Sequence, residues 1–257
     1  MTSAQNIKSK IKIRLMPWLD VFAIIAWGIL ILKYWLTGKL NLLIHPDYFW
    51  LAILGGLGLL IIGLLKAVQI AQQQPDEITP KTQHITLFSP NWGSSLLLIS
   101  AILGLMITPR VFASQTALER GVTDLVGATR AEPQAFHVSV RPEERTLIDW
   151  VRTLNVYPEP DSYTGQKVKV QGFVIHPPEL PKDHLFLARF VITCCAADAY
   201  PAGLPVKLKG DRNQYQPDTW LEVEGQMVTE NLSGKRQLTI AATSLKQIPQ
   251  PKNPYSY

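Results

Sequence analysis

Three long apolar stretches fill the first half of this chain, and they limit its fold more than any other feature. They run from about Trp18 to Leu36, from about Tyr48 to Leu65 and from about Ser94 to Thr108. A bilayer-spanning helix needs about 20 predominantly apolar residues, and each stretch approaches that length. The pattern predicts an integral membrane protein with about three transmembrane helices. The third has the shortest uninterrupted core. Val111-Phe-Ala113 extends it past Pro109 and Arg110, and an arginine at a helix end can snorkel to the interface.

The first stretch has a competing reading as a secretory signal peptide, because Lys8, Lys10, Lys12 and Arg14 form a basic leader. Its apolar run exceeds the usual h-region of about 7–15 residues, and no small-x-small cleavage site follows it before Trp35 and Leu36. Val111-Phe-Ala113-Ser114 does resemble a cleavage site, which would release the distal part, but it follows the third stretch, where no leader ends. The net charge of +5 is unevenly spread. Residues 1 to 113 carry 9 Lys and Arg against 4 Asp and Glu, whereas residues 114 to 257 carry 16 of each. By the positive-inside rule the basic leader is cytoplasmic, the loop Thr37 to Asp47 is outside and the loop Lys66 to Trp92 is inside. The expected organisation is a membrane domain over 1–113, a linker over 114–139 and an extracytoplasmic domain over 140–257. The expected location is the plasma (inner) membrane, with multiple passes and lipid as an obligatory neighbour.

Within the second stretch, Ala52-x-x-x-Gly56, with Gly58 and Gly63 beyond it, lets helices approach closely. In the distal half, Pro142 followed by Glu143 and Glu144 predicts a helix start, with Leu147, Ile148, Val151 and Leu154 on one face. Beyond Pro160 the period changes to two. Val168, Val170 and Val174 alternate with Lys167, Lys169 and Gln171, and Gly172 interrupts the run where a bulge or bend fits. Further strands read at about Leu185 to Thr193, Leu204 to Leu208, Trp220 to Val228 and Gln237 to Thr243. The predicted fold class is α+β: membrane helices, then a helix and a five-stranded OB-like β-barrel. Val168, Val170, Leu221, Val223 and Met227 lie on the apolar side of their strands and are expected in the core.

OB-type barrels often bind single-stranded nucleic acid through a basic groove. The balanced charge of the distal half and its predicted side of the membrane argue against a nucleic-acid partner. No Gly-x-Ser-x-Gly, His-Glu-x-x-His or phosphate loop is present, so a non-enzyme is the expected class. The chemistry gathers instead at Cys194 and Cys195, the only two cysteines, adjacent in Arg189-Phe-Val-Ile-Thr-Cys-Cys-Ala-Ala-Asp198. Neighbouring side chains of a regular strand face opposite ways, so the pair can grip one metal ion only if the backbone bends there. Three readings stand: Cys194 buried as a small hydrophobe, a redox pair able to close a strained vicinal disulfide, or a metal site that recruits Asp198 and either His176 or His184. Mixed sulfur, nitrogen and oxygen donors suit zinc or another soft transition metal, though the spacing is not that of an established zinc finger.

The run Arg189-Phe-Val-Ile-Thr-Cys-Cys-Ala-Ala-Asp198-Ala-Tyr-Pro201-Ala-Gly203-Leu-Pro205, with Trp220-Leu-Glu-Val-Glu-Gly225 after it and three apolar stretches before it, resembles the YcgQ-like family of uncharacterised membrane proteins. The resemblance covers nearly the whole chain. It implies a short membrane domain joined to an OB-like extracytoplasmic domain, a multi-span permease as partner and an association with metal handling, zinc especially. It implies no catalytic residues. The function expected from residues and resemblance together is an accessory permease subunit that binds or presents a metal ion at its Cys-Cys motif, with a membrane-anchored thiol-disulfide protein or a scaffold without chemistry as alternatives.

Overall fold

The computed structural model describes residues 2–72, 92–121 and 141–257, with side chains from Pro17 onward. The chain divides into two compact units, Met1–Arg110 and Val111–Tyr257.

The first unit holds α1 (Thr2–Leu36), α2 (Phe49–Gln72) and α3 (Trp92–Met106). Two segments, Pro17–Leu36 and Pro46–Gln72, are long and apolar enough to cross a membrane, while α3 is a shorter apolar helix of 15 residues. The polar loop expected from Lys66 is helical to Gln72, and its remainder lies outside the described residues. Helix α1 ends where Gly38 takes a left-handed φ of 67°, a conformation glycine enters without a Cβ clash. Small residues let α1 and α2 touch: a Cβ on Gly28 would lie 2.9 Å from the Leu60 side chain, and one on Gly63 would lie 2.5 Å from Ile25.

Polar contacts tie α3 to α1. The Trp27 indole donates to the Leu97 carbonyl at 3.0 Å, Lys33 donates to the Leu105 carbonyl at 2.7 Å, and the Tyr34 hydroxyl donates to Gly104 and Ile107 carbonyls. The last carbonyls of a helix have no intrahelical partner and carry partial negative charge, so Lys33 and Tyr34 act as a C-terminal cap supplied by another helix. Near the other end of α3, Asp20 pairs with Lys66 at 3.1 Å and accepts from the Ser94 hydroxyl.

The second unit begins with a strap. Residues 114–121, the described part of the expected linker, include the short helix α4 (Ser114–Glu119), in which Ser114 and Ala117 are buried. Farther on, the helix expected to start at Pro142 starts later. Pro142–Glu144 makes one 3-10 turn, Arg145 turns extended with ψ 131°, and α5 (Leu147–Val156) begins afresh. The reason is a capping box. Thr146 Oγ1 accepts from Asp149 N at 3.2 Å, and the Asp149 carboxylate accepts from Thr146 N at 3.0 Å, so two orphan donors are satisfied at once. Leu147, Ile148, Val151 and Leu154 are all buried, as their spacing requires.

The strands follow as β1 (Lys167–Ile175), β2 (His184–Val191), β3 (Tyr200–Lys207), β4 (Trp220–Leu232), β5 (Lys235–Gln247) and the two-residue β6 (Tyr255–Ser256). They form one six-stranded sheet in the order β1-β4-β5-β3-β2-β6, and β1 also pairs with β2. The pairings among the first five strands therefore return to their starting point. Val168, Val170, Leu221, Val223 and Met227 all lie in the core, as alternation predicts. Strand β6 was not anticipated. It adds to the outer edge of β2 in parallel, Phe190 opposite Tyr255.

Strand β2 is buried on both faces. Leu185, Leu187 and Val191 enter the main core with α5, β1 and β4. On the other face Phe190 stacks against Phe173 at 5.5 Å and meets Phe112 of the strap at 5.3 Å and Tyr255 of β6 at 6.2 Å. Such two-sided burial produces a continuous apolar run instead of an alternating one. β2 and β3 approach so closely at the pair Ala188 and Gly203 that a Cβ on Gly203 would lie 2.0 Å from the Leu187 carbonyl oxygen. Backbone cannot yield there as a flexible side chain could. We expect Gly203→Ala to lower stability by about 1–3 kcal/mol in denaturant unfolding, and Gly210→Ala, which meets only the Gln214 side chain, to stay within about 0.5 kcal/mol. Equal stability of both variants would contradict the close approach.

Candidate metal centre

The Cys-Cys motif sits at the tip of the β2–β3 hairpin. Val191 pairs with Tyr200, and residues 192–199 make the connection. Regular pairing stops at Val191, so the strand ends two residues earlier than its apolar run suggests. Ile192 N donates to the Ser256 carbonyl at 3.0 Å, after which the chain bends through Thr193 and Cys194 into a 3-10 turn, Ala196–Asp198. The bend that a shared metal ion requires is present. It also takes Cys194 out of the sheet, so the reading of Cys194 as a buried hydrophobe fails: the thiol is exposed and that of Cys195 is half-buried.

One carboxylate organises the bend. Asp198 Oδ2 accepts from Cys194 N at 2.8 Å and from the Thr193 hydroxyl, and Oδ1 accepts from Cys195 N at 3.3 Å. The Cys195-x-x-Asp198 spacing thus works as the return half of a capping box, the third-turn residue reaching back to the backbone of the first. Burial raises the Asp198 pKa, but the hydrogen bonds from Thr193, Cys194 and the two backbone N–H groups overcome this and hold it below the usual carboxylate range. A lowered folded-state pKa means that the cap stabilises the loop above the unfolded value of about 4 and is lost as pH falls through the lower folded value.

The ligand atoms of Cys194, Cys195 and Asp198 all lie within 4.8 Å of one another. The two sulfurs are 3.7 Å apart. With Zn–S bonds of about 2.3 Å, a tetrahedral ion sets the sulfur–sulfur edge at about 3.8 Å. The thiols therefore stand at the spacing of two ligands on one ion. Hydrogen bonding to Asp198, then to Cys195, pushes the Cys194 thiol up to about 11. A raised pKa disfavours the thiolate, which is both the redox nucleophile and the metal ligand, so a bound cation has to displace this proton.

The two histidines are elsewhere. His184 opens β2 opposite Lys207, seven residues before Val191, a distance of roughly 23 Å along a strand. It is buried, with Nδ1 2.8 Å from Asp183 Oδ1 and Nε2 2.8 Å from Glu230 Oε2, so both ring nitrogens are engaged. Glu230 also pairs with Lys207. His176 follows β1 at that same end, since Ile175 pairs with Phe186, and its buried Nε2 has no hydrogen-bond partner among the described residues. Burial, then the nearby Arg212 charge, lowers its pKa. Neither histidine joins the thiols. Sequence reasoning missed Thr193 and Arg120, whose guanidinium donates to the Ala199 carbonyl from the strap. The first is legible in the Thr-x-x-x-x-Asp spacing, whereas nothing local in the sequence signals the second.

The N-terminal DUF1980 domain model matches residues 19–123 and the C-terminal DUF1980 domain model matches residues 139–257. This chain belongs to the DUF1980 family. It is 36% identical over 104 residues, 40% of its length, to a protein of Streptococcus mutans serotype c (strain ATCC 700610 / UA159) named "Putative two-component membrane permease complex subunit". Over 104 residues, again 40% of its length, it is 26% identical to "UPF0703 protein YcgQ" of Bacillus subtilis (strain 168). The matched stretch spans 37% and 36% of those two relatives. The resemblance stated for the Cys-Cys-Ala-Ala-Asp run and its surroundings therefore holds at the family level.

In metal-free protein, Asp198→Asn should lower the Cys194 titration toward the ordinary thiol range, because it removes the group that raises it most. Thiolate absorbance against pH reports this, measured in a Cys195→Ser background for both forms. An unmoved or upward-shifted midpoint would mean that Asp198 does not face the thiol.

Proposed function

We propose that the chain is a non-enzymatic accessory subunit of a membrane permease, and that its distal unit binds or presents a metal ion through Cys194, Cys195 and Asp198. The observation carrying the metal reading is the convergence of two thiols and a carboxylate within 4.8 Å of one another, with the two sulfurs at the 3.7 Å spacing of ligands on a tetrahedral ion. Two sulfurs and one oxygen favour zinc or another soft transition metal over calcium or magnesium, which take oxygen ligands. His176 and His184, the nitrogen donors expected from sequence, are left out of this set by their position at the other end of the hairpin.

The permease reading is supported by the name of the Streptococcus mutans relative, a subunit of a two-component complex. It makes a multi-span membrane protein the natural partner. Three helices are few for a transport path, and the acidic Asp20 lies near one end of its span, already paired with Lys66. In this reading α3 is a third span in spite of its length, supported by the cap that Lys33 and Tyr34 place on its last carbonyls. The exposed side chains of Leu54, Ile61 and Leu65 on α2 then face lipid or the permease. In this reading the membrane domain is Met1–Arg110, three residues shorter than the expected 1–113 because Phe112 packs against Phe190 and Tyr255, and residues 140–257 are an extracytoplasmic domain, with the N-terminus cytoplasmic and the plasma (inner) membrane as location. The return of the strand pairings to β1 supports an OB-like barrel for the distal domain.

Affinity purification from native membranes tests both halves. A multi-span membrane protein is expected to co-purify, along with bound metal. Cys194→Ser and Cys195→Ser should each remove most of that metal, and unchanged metal content in the double variant would end the metal reading. Thiols that instead oxidise reversibly without metal would favour the redox alternative. For topology, a reporter active only outside the cytoplasm should work when fused after Tyr257, and activity of a cytoplasm-only reporter there would exclude three spans in this orientation.

A further inference from the structure

We infer that the Cys194, Cys195 and Asp198 centre is an exchange port, a site whose fourth coordination position is kept open for a donor brought by another molecule; this rests on the metal reading above. Closed structural zinc sites use four protein ligands, whereas sites with three keep one position for water or an incoming ligand. Among the described residues, no fourth His, Cys, Asp or Glu joins the cluster. Both nitrogens of His184 are committed to Asp183 and Glu230 at the far end of the hairpin.

The third donor is weak as well as the fourth being absent from the cluster. A carboxylate has about four lone-pair sites, and Asp198 accepts from Thr193 Oγ1, Cys194 N and Cys195 N and from the Cys194 thiol, whose bond is given up when a cation replaces the thiol proton. It can offer a cation one oxygen without releasing the loop. Cys194 lies at the exposed tip while Cys195 is half-buried, so the outer sulfur is the ligand most easily replaced.

The occupant of the open position is a thiolate, imidazole or carboxylate donor on a metal carrier or on the partner subunit. Exchange begins when that donor bonds to the ion at the open position. The bond from the ion to Cys194 Sγ would then break and the freed thiolate take a proton from solvent; the bonds to Asp198, which stays a carboxylate, and to Cys195 Sγ, which is likewise protonated, would follow as the incoming molecule supplies further donors. No electron changes hands, and the metal keeps its charge throughout. A port of this kind passes its ion through a shared intermediate instead of releasing it into bulk water.

Stopped-flow transfer of Zn²⁺ from the full chain in detergent to a chromophoric chelator tests this, with equilibrium dialysis of Zn²⁺ run alongside. The expected result is retention of zinc in dialysis and a transfer rate that rises in proportion to chelator concentration, because the chelator attacks the bound ion. Retention of zinc with a rate independent of chelator concentration would overturn the port and leave the metal reading standing. Loss of zinc in dialysis would overturn the metal reading, and the port with it.

Discussion

Asp198 holds the hairpin tip together. Its carboxylate collects the Thr193 hydroxyl and the backbone N–H groups of Cys194 and Cys195, three donors that the end of pairing at Val191 would otherwise leave to solvent. Those bonds force the bend, and the bend places two adjacent sulfurs on the same side of the chain. In a regular strand they would point apart. One side chain thus converts a sequence neighbourhood into a spatial one. Its negative charge is also what makes the cluster attractive to a cation and inhospitable to a free thiolate.

Much of the distal unit is legible because its strands obey period two. The alternation of Val168 and Val170 with lysines, and of Leu221, Val223 and Met227 with polar neighbours, marks the core side directly. Where the period vanishes, so does precision. β2 is apolar except at His184 and Arg189 because Phe190 and Leu187 face different layers, and a run buried on both sides does not announce where it ends. The helix start shows a different failure. Pro142 and two glutamates are a valid N-terminal signal, and they do start a helical turn, but the stronger Thr146-x-x-Asp149 box resets the helix four residues on.

The site was half legible for a related reason. Cys194, Cys195 and Asp198 are neighbours in sequence, and local geometry was enough to bring them together. The histidines flank the Pro177–Pro181 segment, and strand direction carries that segment away from the thiols: an antiparallel hairpin separates its two ends by its full length. Contacts from distant segments carried no local sign at all. Arg120 reaches Ala199 across 79 positions, and Lys33 reaches Leu105 across 72.

The two-sided burial of β2 has a dynamic corollary. Opening that strand would disrupt the main core and the aromatic layer of Phe112, Phe173, Phe190 and Tyr255 together, so its amides belong among the most protected from hydrogen exchange. Two residues beyond, Thr193 and Cys194 lie exposed, fastened mainly by one carboxylate. The gradient from globally to locally governed exchange is therefore compressed into the step from Ile192 to Cys194, and the loop can open and reclose on a mount that does not move with it.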